Sequence, residues 1–129
     1  MPSERFVLQR GNFQAALARL HEALEQNESD FVRDSIIQRF EFTFEMAWKS
    51  LFRFLVDKGE DLPEKAWAVL PAAFQSRLIQ DVEGWEKLRE YRNDTSHEYL
   101  LKKAIEVAAF VRGKGVALFD ALLERLSHE

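Results

Sequence analysis

Cysteine is missing altogether from these 129 residues. Its absence excludes disulfides, thiolate nucleophiles and zinc–thiolate centres together, and it fits a reducing cytoplasm. Proline (three) and glycine (five) are scarce, too few for long disordered linkers. No apolar run approaches the ~20 residues of a membrane span. The segment Met1–Arg10 lacks the apolar core and small-residue cleavage site of a secretory signal. The expectation is a soluble cytoplasmic protein with no membrane contact. A basic excess is missing too, since the formal net charge is −4. General polyanion binding is therefore excluded, and any nucleic-acid contact must be local or depend on a partner. The stretch around Lys87–Lys103 sets Lys87, Arg89, Arg92, Lys102 and Lys103 against Glu86, Glu90, Asp94 and Glu98, which is no basic patch.

What the chain has is apolar bulk. Apolar residues make up 47% of it, with eleven Phe and three Trp, enough to build one core over a single domain, residues 1–129. The apolar spacing is helical almost throughout. Phe6, Phe13, Leu17, Leu20 and Leu24 predict a first helix from about Ser3 to Gln26. Ser29 or Asn27 can cap a second, from about Asp30 to Lys58, ended by Gly59. Its stripe is Ile36, Ile37, Phe40, Phe44, Ala47, Trp48, Leu51, Phe54 and Leu55, with Glu45, Lys49 and Arg53 spaced i, i+4 on the outer side. After a turn at Asp61–Pro63, a short helix runs from Glu64 to Ser76, kinked or broken at Pro71. A fourth covers Val82–Thr95. The fifth, Leu101–Leu126, carries the stripe Leu101, Ile105, Ala108, Gly115, Phe119, Leu122 and Leu126, with Gly115 placed for close approach to a neighbour. The fold class that follows is all-α: an antiparallel up-and-down four-helix bundle with a short extra helix. Phe42 and Met46 lie off the second helix's stripe, one turn apart, and read either as scattered surface hydrophobes or as an interface with a second subunit or partner.

Few residues are equipped for chemistry. His21 and His128 read as ordinary solvated side chains. No His or carboxylate cluster has metal-ligand spacing, and there is no Gly-rich phosphate loop or nucleophile elbow. Tyr91-Arg92-Asn93-Asp94-Thr95-Ser96-His97-Glu98-Tyr99 differs. It packs a permanent cation, a group titrating near neutrality and a phenol into a few positions. Such a set can cleave RNA without metal, with His97 deprotonating a ribose 2′-hydroxyl and Arg92 neutralising charge on the phosphorus oxygens. Residues five apart on a straight helix point about 140° apart, so Arg92 and His97 converge only if the helix distorts or ends between them. Asn93, Asp94, Thr95 and Ser96 favour such a break, and Thr95 and Glu98 have capping-box spacing. The alternative is structural: Arg92 pairs with a carboxylate such as Glu41, Glu45 or Glu90.

Arg92-Asn93-Asp94-Thr95-Ser96-His97-Glu98-Tyr99 matches the RX4HXY motif and resembles the HEPN superfamily in its HepT-like branch, also named nucleotidyltransferase substrate-binding proteins. The stretch Ile37–Leu51 resembles that branch's second-helix signature, and Trp85, seven residues before Arg92, fits its pattern. Members often carry Asp or Asn just after the motif Tyr, where this chain continues Leu100-Leu101-Lys102-Lys103. The resemblance implies a helical bundle that dimerises, with two motif copies facing a shared cleft, and a minimal nucleotidyltransferase as partner. It implies a metal-independent ribonuclease toxin needing no cofactor, with Arg92 and His97 catalytic and Asn93 as polar helper. It also implies silencing by transfer of AMP from the partner to Tyr99. Two other readings remain: a non-catalytic subunit presenting a nucleotide or substrate to the partner, and a plain dimeric scaffold.

Overall fold

The N–H groups at the start of each helix need acceptors, and two serines supply them. Ser3 Oγ accepts from the Phe6 N–H and Ser29 Oγ from the Val32 N–H, both at 3.0 Å, each cap contributing about 1 kcal/mol. In this computed structural model, which describes residues 2–95 and 100–129, α1 spans Glu4–Leu24 and α2 spans Asp30–Asp57. Gly59 closes α2 from the left-handed region at φ 98°. Its N–H reaches the Val56 carbonyl and the Glu60 N–H the Leu55 carbonyl, both at 3.0 Å, the paired bonds of a Schellman cap. The turn therefore sits at Lys58–Gly59 rather than at Asp61–Pro63.

The shorter elements follow as α3 (Ala66–Gln75), α4 (Val82–Thr95), α5 (Leu101–Phe110) and α6 (Val116–Ser127), with a π-helical turn, Val111–Gly115, joining the last two. Pro71 lies inside α3 without breaking it. It is exposed, so its ring is accommodated at the cost of one i→i−4 bond. The expected single fifth helix is continuous in path but widened by the π turn. A stripe drawn with one helical period across such a turn fits one half and misses the other. Accordingly Leu101 and Ile105 are exposed, while Ala108 of the expected stripe is buried together with Ala104 and Val107. Gly115 is buried as expected: a Cβ there would sit 3.2 Å from Leu88 Cδ2.

Pairwise contacts run in opposite directions along neighbouring helices, which makes the bundle antiparallel. Between α1 and α2, Arg39 donates to the Arg19 carbonyl, Thr43 lies against the Ala16 carbonyl, Ser50 against the Gln9 carbonyl, and Ser3 meets Asp57. Between α1 and the last helical stretch, Arg112 reaches the Leu24 carbonyl, His21 meets Asp120, and Arg10 reaches the Leu126 carbonyl. Four helices converge on an aromatic centre. Phe119 of α6 touches Phe13 of α1, Phe40 of α2 and Trp85 of α4, with centroids 6.3, 6.4 and 5.7 Å away. Trp85 also meets Phe44 of α2. Burying these rings supplies the dominant stabilisation, a few kcal/mol each.

Helix α2 is buried over a wider arc than its apolar stripe. Thr43 and Ser50 are fully buried against α1. Their hydroxyls donate to the carbonyls one turn back, Arg39 at 2.7 Å and Met46 at 2.8 Å. Satisfying the hydroxyl within its own helix is what lets a polar residue occupy a helix seam. Among the described residues, no helix is long and apolar enough to cross a membrane.

Candidate functional site

The last turn of α4 carries the first two motif residues. Trp85 and Leu88, buried at 2% and 0% exposure, fix the rotation of α4 against α2. Arg92, one turn further along the same face, is thereby aimed at α2. Its Nη1 lies 3.2 Å from Glu41 Oε2 and its Nε 3.2 Å from Glu45 Oε1. The second contact is an ion pair without the angle of a hydrogen bond, because Nε is buried and has no hydrogen-bond partner among the described residues. Of the three carboxylates considered from sequence, α2 supplies both partners and Glu90 neither. Glu45 does not belong to an outer i, i+4 ladder with Lys49. It turns inward, where its Oε2 accepts the Trp48 indole N–H at 3.0 Å. Lys49 lies over the Trp48 ring, 5.8 Å from its centroid.

This cluster has one cation between two carboxylates. The Glu41 carboxyl is held above its ordinary value of 4.5, chiefly by burial; Arg92 opposes that shift and Glu45 reinforces it. The Arg92 side chain keeps a quarter of its surface exposed, so the guanidinium is oriented without being enclosed.

An adjacent flank of α4 is braced onto α5. The Tyr91 hydroxyl donates to Glu106 Oε2 at 2.6 Å, and its ring packs on Phe110 at 5.3 Å. Lys87 and Lys103 lie 4.9 and 5.7 Å from that ring's centroid. Burial, then the Glu106 contact, pushes the Tyr91 phenol far above its usual range, while the same hydrogen bond holds the Glu106 carboxyl below its own. Lys103 bridges Glu106 at 3.4 Å and Asp94 at 3.9 Å. The two helices leading into and out of the motif are thus anchored on both flanks. Sequence reasoning placed Tyr91 at the head of the motif segment but missed Glu106 as its partner. Their signal is available only once α4 and α5 are known to be antiparallel.

Of the sequence-predicted site residues, Arg92 stands in the carboxylate cluster and Asn93, beside it, is exposed. His97 and Tyr99 lie outside the described residues, and with them the convergence of Arg92 and His97 and the Thr95–Glu98 capping box. Thr95 is buried, its hydroxyl donating to the Arg92 carbonyl at 3.2 Å. Leu100 is already extended and forms the N-cap of α5 with no side-chain hydrogen bond, as its replacement of the usual Asp or Asn implies. Phe42 is 56% exposed. Met46 is partly buried against the core, with its sulfur accepting from Gln9 Nε2 at 3.4 Å. His21 is less free than expected: Nε2 lies 2.7 Å from Asp120 Oδ1. Among the described residues, no group of three or more His, Cys, Asp or Glu is placed to hold a metal ion.

Residues 8–128 match the sequence profile of the family described as nucleotidyltransferase substrate binding protein like. The chain belongs to this family. A probable ribonuclease HepT from Haemophilus influenzae is 32% identical over 90 residues, 64% of this chain. The match spans only 62% of that relative's length. Among solved structures, a Thermus thermophilus protein is 30% identical and superposes with TM-score 0.77 over 88% of this chain and 98% of that one. An AMPylated HEPN toxin of Shewanella oneidensis, in complex with its MNT antitoxin, gives TM-score 0.79 at 15% identity, over 98% of this chain and 99% of that one. At that identity the likeness establishes the helical bundle and no more.

Proposed function

We propose that this chain is the ribonuclease subunit of a two-component module whose other member is a minimal nucleotidyltransferase. The observation that carries the reading is Arg92. It occupies the RX4HXY position of a family member, in the last turn of α4, with its guanidinium oriented by Glu41 and Glu45 yet still reachable by a ligand. A preoriented cation supports a developing phosphorane without reorganising at the moment of reaction. In this reaction His97 takes the proton of a ribose 2′-hydroxyl, and the 2′-oxygen attacks the adjacent phosphorus. Arg92 balances the charge on the non-bridging oxygens, with Asn93 as polar helper. The P–O5′ bond breaks and the proton passes to the 5′-oxygen, leaving a 2′,3′-cyclic phosphate and a 5′-hydroxyl. Two chains paired across a shared cleft would present two such sets, which makes the homodimer part of the proposal.

Silencing fits the same site. The Tyr99 oxygen attacks the α-phosphorus of ATP bound by the partner, pyrophosphate leaves, and the retained phosphate charge beside Arg92 occupies the cation. The relative named probable ribonuclease HepT and the AMPylated HEPN toxin support this direction. The test is expression of the chain alone, which should arrest growth. His97→Ala should lift the arrest, the partner should relieve it, and Tyr99→Phe should prevent that relief.

A second reading, a non-catalytic nucleotide- or substrate-binding subunit, draws on the same cluster. Two carboxylates on one guanidinium leave a local charge of about −1 when both are ionised, which opposes capture of a scissile phosphate. Under it, expression alone is harmless and His97→Ala only weakens nucleotide binding or partner activity.

A further inference from the structure

Apart from the motif, one cavity of the described structure gathers groups that nothing else uses. A groove of about 380 Å³ between α1 and α2 is lined by Ala16, Arg19, Ser35, Gln38, Arg39 and Phe42, within the size range of small-ligand sites. Ser35, Gln38 and Phe42 are three and four residues apart on α2 and share one face. The small side chain of Ala16 leaves room between the helices. Arg39 pins the groove: its Nη1 donates to the Arg19 carbonyl at 2.6 Å, and Glu22 lies 3.6 Å from it. Among the described residues, the Arg19 guanidinium, the Ser35 hydroxyl and the Gln38 amide have no side-chain partner, and no ring stacks on Phe42. No carboxylate lines the groove.

We propose that this groove holds one nucleotide unit of a single-stranded RNA, its base stacked on Phe42 and its phosphate on Arg19. An exposed aromatic face beside a free guanidinium is the combination that single strands use, with stacking for the base and charge for the backbone. Ser35 and Gln38 offer donors and acceptors for a base edge or a 2′-hydroxyl. Charge favours the assignment: in a chain of net charge −4, Arg39 of this groove is paired with Glu22, while Arg19 lines it with no carboxylate among the lining residues. Continuity favours a strand over a free nucleotide. Glu41, which holds Arg92, is the neighbour of Phe42 and is turned about 100° from it on the same helical turn, so a chain laid across α2 meets both. The inference deepens the ribonuclease reading and rests on RNA being the substrate. It answers where an acidic protein grips its RNA.

The test uses the full-length His97→Ala protein, which binds without cutting, and a labelled single strand of about ten nucleotides, followed by fluorescence anisotropy across a salt series. Phe42→Ala is expected to weaken binding about 5- to 100-fold, and Phe42→Trp to restore it. Arg19→Gln is expected to lower affinity and reduce the salt slope by about one. Duplex RNA of the same sequence should be insensitive to Phe42→Ala. Three results overturn the proposal. The first is no strand binding, or binding unchanged in both variants. The second is loss confined to AMP offered alone, which makes the groove a free-nucleotide site. The third is a changed oligomeric state in sedimentation with Phe42→Ala, which makes Phe42 a protein interface. Cleavage by the unsubstituted chain is measured in parallel. Strand binding through Phe42 without cleavage keeps the groove and removes the nuclease, while cleavage with Phe42-independent binding does the reverse.

Discussion

Two sides of α2 invite comparison. On one, Glu41, Glu45 and Trp48 close around Arg92 of α4, and every charged group has a partner. On the other, Ser35, Gln38 and Phe42 line a groove with Arg19 of α1, where Arg39 is tied to the Arg19 carbonyl and Glu22 and the remaining polar side chains are uncommitted. Both sides offer a guanidinium within reach of α2. What separates them is occupancy. The Arg92 side is a constructed geometry, fixed by the buried Trp85 and Leu88 beneath it, whereas the Arg19 side is open capacity. A cation's role follows from what the packing has already committed it to, and the helical phase of α2 decides that.

The largest effect should come from removing what both sides stand on. Phe119 touches α1, α2 and α4 at once. Phe119→Ala is expected to cost about 3–5 kcal/mol in denaturant unfolding. A loss below about 1 kcal/mol would mean that the aromatic centre does not hold the helices.

Next, Arg92→Ala leaves two carboxylates facing each other in a partly buried site. It should cost about 1–3 kcal/mol, and Arg92→Lys should recover part of that, because an ammonium cannot span both partners. Arg19→Gln, on the open side, should stay within about 0.5 kcal/mol. Equal costs for the two arginines would erase the contrast.

A smaller effect concerns pH. The folded Glu41 carboxyl titrates above 4.5. Its contribution to stability is therefore fully present below that value and declines as the pH rises through the folded pKa. Glu41→Gln should gain on the unsubstituted protein as the pH climbs from about 4 to 7, followed by melting temperature. A gap that stays constant across that range would remove burial as the dominant influence on Glu41.

Smallest of all, Asp120→Ala removes an exposed contact to His21. It should stay within about 0.5 kcal/mol, a baseline for judging the others.

Much of this architecture was legible in the residues. The Ser29 cap, the Gly59 stop and the span of α4 follow from local chemistry, and the Phe and Trp spacing gave the helical class, while Ser3, expected inside α1, caps it. The misses share a cause: each depends on a neighbour that the local pattern does not contain. The π turn at Val111–Gly115 changes the winding, so the α5 stripe drawn through Leu101 and Ile105 fails. Thr43 and Ser50 look like outer residues until α1 is laid against them. Glu45 suits a ladder with Lys49 by spacing alone, and only the α2–α4 register shows that Arg92 claims it. At the candidate site, Arg92 and Asn93 were readable from the motif. Glu41 and Glu45 were readable only as candidates, and the Tyr91–Glu106 brace was invisible because its partners stand fifteen residues apart on two helices.

The most direct measurement of the central claim is cleavage of single-stranded RNA by the purified chain in the presence of EDTA, with the product ends identified by mass spectrometry. The account predicts 2′,3′-cyclic phosphate and 5′-hydroxyl ends, and a fall in rate of at least about 10²-fold in His97→Ala and in Arg92→Ala. RNA left intact by the unsubstituted chain, or cut equally well after His97→Ala, would contradict it.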